Sequence, residues 1–142
     1  MILIDTGPLI ALFDPKDPDH KACHEVLKTI EEPLYTTEAV LTEVLYVFDP
    51  GSRGAEGIKE YFLGDYVSLH ALAIEDIERS FSLMNKYSDL PMDFADATLL
   101  ALAERLGTSR IFTLDFNDFN VYRYKKGHRY YALDLIGRKL LE

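Results

Sequence analysis

Ile2-Leu3-Ile4-Asp5-Thr6-Gly7-Pro8 is the stretch whose reading decides the fold. Three large apolar residues run into an aspartate and then toward Gly-Pro, so residues 2–5 read as a short strand buried on both faces. Pro8 suits the first turn of a helix, and Leu9 to Phe13 continue as one. A buried strand that feeds a helix is the start of a layered α/β unit. A second run of this kind, Ile111-Phe112-Thr113-Leu114, also ends in an aspartate, Asp115. In open parallel sheets, ligands bind beyond the carboxyl ends of the strands, and both aspartates would point there.

Working outward, residues 19–31 carry helical periodicity through Ala22, Val26, Leu27 and Ile30, and Leu34-Tyr35-Thr36 reads as a second short strand. Thr36 or Thr37 can cap a helix over 38–49, with Val40, Leu41, Val44, Leu45 and Phe48 as its apolar positions. Further helices are expected over 54–63 and 74–87, with a strand over 67–70 between them. Residues 93–106 form an Ala/Leu-rich helix that Gly107 terminates. A strand over 110–114 is followed by a loop or single turn at 115–119, a hairpin around Lys126-Gly127 within 121–133, and a short terminal helix. Strands alternating with helices predict an α/β/α sandwich, three layers with a mostly parallel central sheet, and no linker or repeat divides residues 1–142.

The chain of 142 residues has 48% apolar and 27% charged residues, an ordinary balance for a globular domain. No window is apolar and long enough to span a bilayer, and no basic segment precedes the first strand, so neither a membrane anchor nor a signal peptide is expected. One cysteine, Cys23, cannot form an internal disulfide and fits a reducing, cytoplasmic setting. The net charge of -9 argues against a non-specific nucleic-acid binder, although Arg123, Lys125, Lys126, His128 and Arg129 cluster near the C-terminus. That cluster, interleaved with tyrosines, reads either as a solvated hairpin whose aromatics pack inward or as a grip on a nucleic-acid backbone.

The acidic residues carry the chemistry. Asp5 and Asp115 end apolar runs, though either could also serve a helix cap or turn. Glu43 lies beside the stripe made by Val40, Val44 and Val47, where an unpaired carboxylate is costly. Asp93 can cap the helix over 93–106, whereas Asp96 lies one turn inside it among alanines and leucines. Carboxylates converging on an α/β core are most simply neutralised by a divalent cation, and all-oxygen donors favour Mg²⁺ or Mn²⁺ over zinc. His20 and His24 share a helix face, on a helix that also carries Lys21 and Lys28, and read as surface or boundary residues rather than a zinc site.

Taken in order, Ile2-Leu3-Ile4-Asp5-Thr6, Glu43, Asp93-Phe94-Ala95-Asp96-Ala97 and Thr113-Leu114-Asp115 with Phe119 beyond make the chain resemble the PIN-domain ribonucleases, specifically the VapC-type toxins of prokaryotic toxin–antitoxin pairs. The resemblance covers nearly the whole chain. It implies a single PIN domain in which Asp5, Glu43, Asp96 and Asp115 form an acidic Mg²⁺ or Mn²⁺ site, supported by Thr6 and Thr113. Asp93 would support or cap, and Asp118 could share the role of Asp115. It further implies hydrolysis of RNA to a 3′-hydroxyl and a 5′-phosphate, a homodimer, and a small antitoxin that blocks the site. Apart from the resemblance, Arg123, Lys125, Lys126 and Arg129 are candidate RNA contacts on their residue types alone, with the solvated hairpin the preferred reading of that stretch.

Other readings remain on the residues. Asp5-Thr6-Gly7 matches the signature of retroviral-type aspartic proteases, which are β-rich dimers. A Mg²⁺-dependent phosphatase also uses strand-end aspartates, but one with an aspartyl nucleophile would need a second Asp close behind the first. A PIN-like module that binds RNA or protein without catalysis would keep the fold and use its acids structurally.

Overall fold

Ile2, Leu3 and Ile4 have no exposed surface, and strand β1 (Ile2–Ile4) is the centre of the sheet. The computed structural model describes residues 1–141. Five strands, all parallel, run in the order β3-β2-β1-β4-β7, with β2 at Leu34–Thr36, β3 at Ser68–Leu69, β4 at Arg110–Phe112 and β7 at Asp134–Leu135. Helices flank this sheet in an α/β/α sandwich, as the alternation of strands and helices predicts. They are α1 (Thr6–Phe13), α2 (His20–Lys28), α3 (Glu38–Val47), α4 (Arg53–Leu63), α5 (Ile74–Lys86), α6 (Phe94–Leu106), α7 (Phe116–Val121) and α8 (Arg138–Leu141). Strands β5 (Arg123–Lys126) and β6 (Arg129–Ala132) form a separate antiparallel hairpin. Among the described residues, no helix is long and apolar enough to cross a membrane.

The register positions what matters. Leu3 pairs with Ile111 and Ile4 with Phe112, so the next residue of each strand, Asp5 and Thr113, emerges side by side. The Asp5 N–H donates to the Phe112 carbonyl at 2.9 Å, extending the ladder by one bond. On the other side, the Thr36 hydroxyl donates to the Ile4 carbonyl at 2.8 Å. Helix α6 buries Ala95 and the run from Ala97 to Ala103, so it is a core helix rather than a half-solvated one. Asp93 caps it, accepting from the Asp96 N–H at 2.8 Å, and Gly107 ends it at φ 71°, a left-handed conformation that glycine adopts freely. Thr37 caps α3 by accepting from the Val40 N–H at 3.4 Å, and its hydroxyl meets that of Thr98 on α6 at 2.9 Å.

Several expectations need correction. Residues 115–119 are not a loop or a single turn but enter a six-residue helix, α7. Asp134–Leu135, with too little apolar pattern to read as a strand, forms the sheet edge by pairing with Arg110 and Ile111. The strand expected over 110–114 stops at Phe112. On α3, Val40 and Val44 are buried, but Leu45, Tyr46 and Val47 are exposed, Tyr46 by 92%. Beyond its buried middle, therefore, α3 presents an apolar surface to solvent.

Candidate active site

Four carboxylates approach one another at the carboxyl end of the sheet, each delivered by a different element. Asp5 comes from the end of β1, Glu43 from the middle of α3, Asp96 from the first turn of α6, and Asp115 from the step between β4 and α7. Asp5 is 6% exposed and its carboxyl is pushed up to about 6, first by burial. The Thr6 N–H and the Thr113 hydroxyl, which donates to Asp5 Oδ2 at 2.8 Å, hold it down against that burial, while Glu43 and Asp93 raise it further. Asp96 is pushed up to about 8, again first by burial, then by the charges of Asp5, Asp93, Asp115 and Glu43. Glu43 and Asp115 are also raised, with desolvation leading in both. Burial leads in all four, and repulsion among neighbouring carboxylates adds to it.

Hydroxyls and amides orient these groups. The Thr6 hydroxyl donates to Glu43 Oε1 at 2.7 Å, which ties α1 to α3. Thr113 Oγ1 also accepts from the Asp115 N–H at 3.0 Å, so one hydroxyl links Asp5 to the start of α7. Asp115 Oδ1 accepts from the Asp118 N–H at 3.2 Å, making Asp115 a helix cap as well as a member of the cluster. Asp118 therefore contributes its amide to Asp115. Asp93 is exposed at the rim, with its Oδ1 on the Asp96 amide.

Tyr122 belongs to the site although nothing in its local pattern separates it from a core aromatic. It is fully buried against Phe119 and Tyr87, and its hydroxyl donates to Asp96 Oδ2 at 3.4 Å. Burial, followed by the Asp96 charge, raises its phenol well above the ordinary range. Its spacing of three from Phe119 is the only signal a reader could have used.

Two open grooves border the cluster. One, of about 670 Å³, runs past Glu43, Thr42, Asp93, Phe94 and Leu72. The other, of about 440 Å³, lies between Thr6, Glu43, Tyr46 and Val47. Glu43 lines both, so an extended ligand laid along either would pass that carboxylate. An all-oxygen donor set of this charge suits a hard divalent cation. Among the described residues, no three His, Cys, Asp or Glu side chains stand close enough together to hold an ion; the carboxylates act on one another only through their charges.

The other candidates lie apart. His20 is half-buried and His24 exposed, as surface or boundary residues should be, and their ring nitrogens meet the Ala11 and Leu12 carbonyls at 2.6 and 3.0 Å, at the C-terminal end of α1. Cys23 is buried and its thiol is pushed up to about 12, which makes it inert. Arg123 turns back on α7, donating to the carbonyls of Asn120, Val121 and Tyr122, whereas Lys125, Lys126 and Arg129 stand in solvent on the hairpin. Asp5-Thr6-Gly7 passes from a parallel sheet into α1, which is not the β-rich frame of an aspartic protease.

A family model described as PIN domain matches residues 2–124. Ribonuclease VapC26 of Mycobacterium tuberculosis is 30% identical over 131 residues, spanning 91% of this chain and 97% of that protein. The crystal structure of Mycobacterium tuberculosis VapC20, described as a sarcin-ricin loop cleaving toxin, superimposes with a TM-score of 0.75 at 19% identity, over 82% of this chain and 92% of that one. A toxin–antitoxin complex from Klebsiella pneumoniae does so with a TM-score of 0.67 at 19% identity, over 85% and 92% of the two chains. At that identity the two structures speak to the fold.

Proposed function

This chain belongs to the PIN-domain family and within it to the VapC ribonucleases, and on that premise we propose that it is a single PIN domain acting as a divalent-cation-dependent endoribonuclease, the toxin of a toxin–antitoxin pair. The observation that carries the reading is the convergence of Asp5, Glu43, Asp96 and Asp115, with Asp5 and Asp96 raised to about 6 and 8 by burial and by their neighbours. Mg²⁺ or Mn²⁺ held by these four groups would supply a nucleophile at neutral pH and screen charge on the scissile phosphate.

The chain's own residues do the rest. Thr113 and the Thr6 amide fix the Asp5 carboxylate, and the Thr6 hydroxyl fixes Glu43. Tyr122 restrains Asp96 from behind, and Asp118 restrains Asp115 through its amide. Such preorganisation keeps the negative set in place while a polyanionic substrate approaches. The grooves on either side of Glu43 are open enough for an extended strand. Likeness to the Klebsiella complex supports a small antitoxin as partner, and the exposed Leu45, Tyr46, Val47 and Leu63 support a protein interface, with a homodimer the simplest form. A cytoplasmic setting belongs to the same proposal, supported by likeness to the VapC ribonucleases.

The test is cleavage of a labelled RNA pool by partner-free protein with Mn²⁺ or Mg²⁺ and with EDTA, beside Asp5→Asn and Asp96→Asn. Cutting that needs the metal and falls by about a hundredfold or more in each variant is expected. Cutting that survives EDTA and both substitutions would sink the proposal. Folded, partner-free protein that binds no metal in a titration would instead support a non-catalytic binding module.

A further inference from the structure

An acidic enzyme that works on a polyanion must draw it in somewhere, and the carboxylate mouth repels phosphate. Residues 119–133 are the longest stretch of the chain without Asp or Glu, and they hold Arg123, Lys125, Lys126 and Arg129. With Arg123 committed to α7, the three other cations occupy the β5–β6 ribbon, all exposed. Among the described residues, none of the three is ion-paired to a carboxylate. Lys126 and Arg129 stand directly opposite each other in the register. Like charges in a cross-strand pair destabilise a hairpin, so fold stability does not explain that choice, whereas an anion shared between them does.

The aromatics point the same way. Tyr124 is half-buried, but Tyr130 and Tyr131 remain 50% and 41% exposed. Lys86, from the end of α5, lies 4.0 Å over the Tyr130 ring and adds a fourth cation to the surface. Lys125 and Tyr130 share one face of the ribbon, and Lys126, Arg129 and Tyr131 share the other, so each face carries both a cation and a ring. The ribbon is also anchored. Glu104 accepts from the Lys125 N–H at 2.7 Å, and the Arg123 N–H donates to the Tyr87 hydroxyl at 2.9 Å. Its root is at the carboxylates, because Tyr122, the residue before β5, donates to Asp96. Four residues of strand reach about 13 Å, which sets the distance from that root to the tip.

We infer that the β5–β6 hairpin is the substrate-gripping arm of this protein, with Lys125, Lys126 and Arg129 on the phosphates of single-stranded RNA and Tyr130 and Tyr131 offering rings to its bases. The inference rests on the ribonuclease reading above and adds to it the element that overcomes the repulsion of the acidic mouth. Arg123 has no part in the grip.

The experiment is fluorescence anisotropy with a labelled single-stranded RNA pool at several salt concentrations, with the substrate kept intact by Asp96→Asn. It compares that parent with K125E/K126E/R129E and with K16E/K21E/K59E, which changes the charge equally elsewhere. The hairpin variant should bind at least about tenfold more weakly at low salt, and its log K against log salt slope should flatten by about two, the loss of three phosphate contacts. The control should keep the parent slope. Equal losses in both variants would mean net charge alone matters and would overturn the inference while leaving the nuclease standing. Unmutated protein that neither binds nor cuts RNA would overturn both. A labelled polyglutamate peptide bound through the same three residues more tightly than RNA would assign the arm to an acidic protein and likewise overturn it.

Discussion

Asp96 is a carboxylic acid that the folded chain holds near neutrality. Its proton, lost at an ordinary value of 3.8, stays on up to about 8 because the group is largely shielded from water and faces Asp5, Asp93, Asp115 and Glu43. Between those two values the folded state binds a proton that the unfolded state has released, so stability falls as pH rises through that window. Asp5 adds to the slope between 3.8 and about 6. Asp96→Asn removes the larger titration. In the presence of EDTA it should therefore stabilise the protein more at pH 8 than at pH 5, by on the order of 1–2 kcal/mol after allowing for solvent screening. Urea unfolding at the two pH values reads this directly, and an equal gain at both would show that Asp96 is ordinarily ionised. The position of Asp96 was legible as an acid one turn inside an Ala/Leu helix. Tyr122, which restrains it, was not: a buried tyrosine beside Phe119 looks the same in sequence whether or not its hydroxyl finds a carboxylate.

Elements with a strong local signature were readable for a physical reason. β1 throughout and β4 from Ile111 are apolar because parallel strands are covered on both faces, and α6 has a cap at Asp93 and a stop at Gly107. Elements that exist only through distant partners were not. β7 is Asp134–Leu135 paired to Arg110 and Ile111, with an ion pair of 3.6 Å between Arg110 and Asp134, and neither residue suggests a strand alone. The hairpin was legible at its turn, where Gly127 has φ 64°, but not its attachment. That attachment is Glu104 on α6, which takes two bonds from Arg79 of α5 at 2.6 and 3.0 Å and a third from the Lys125 amide. Glu104→Ala should cost about 2 kcal/mol, since it strands a half-buried guanidinium and an amide together. It should also free the ribbon, so the Lys125 amide should exchange with solvent faster than the core amides of α6. Protection at Lys125 that survives the substitution would mean the ribbon is held by other contacts.

At the scale of the molecule, the net charge of -9 and the carboxylate cluster act together. An all-acidic mouth on an acidic chain is an electrostatic burden, and an ion that binds the folded mouth and not the unfolded chain relieves it. Linkage turns that into a measurable shift: at a tenfold excess of ion over its Kd the folded state gains about 1.4 kcal/mol, or roughly 4–6 °C in Tm for a chain of this size. Mn²⁺ or Mg²⁺ should give this shift where NaCl of equal ionic strength does not, because screening acts on the whole surface and coordination only at the mouth. The gain should shrink sharply in Asp5→Asn and Asp96→Asn and persist in K125E/K126E/R129E, whose lysines and arginine lie on the hairpin and not among the four acids. A shift equal in all of these proteins would trace to diffuse surface charge, and the four acids would then have to be explained without a cation.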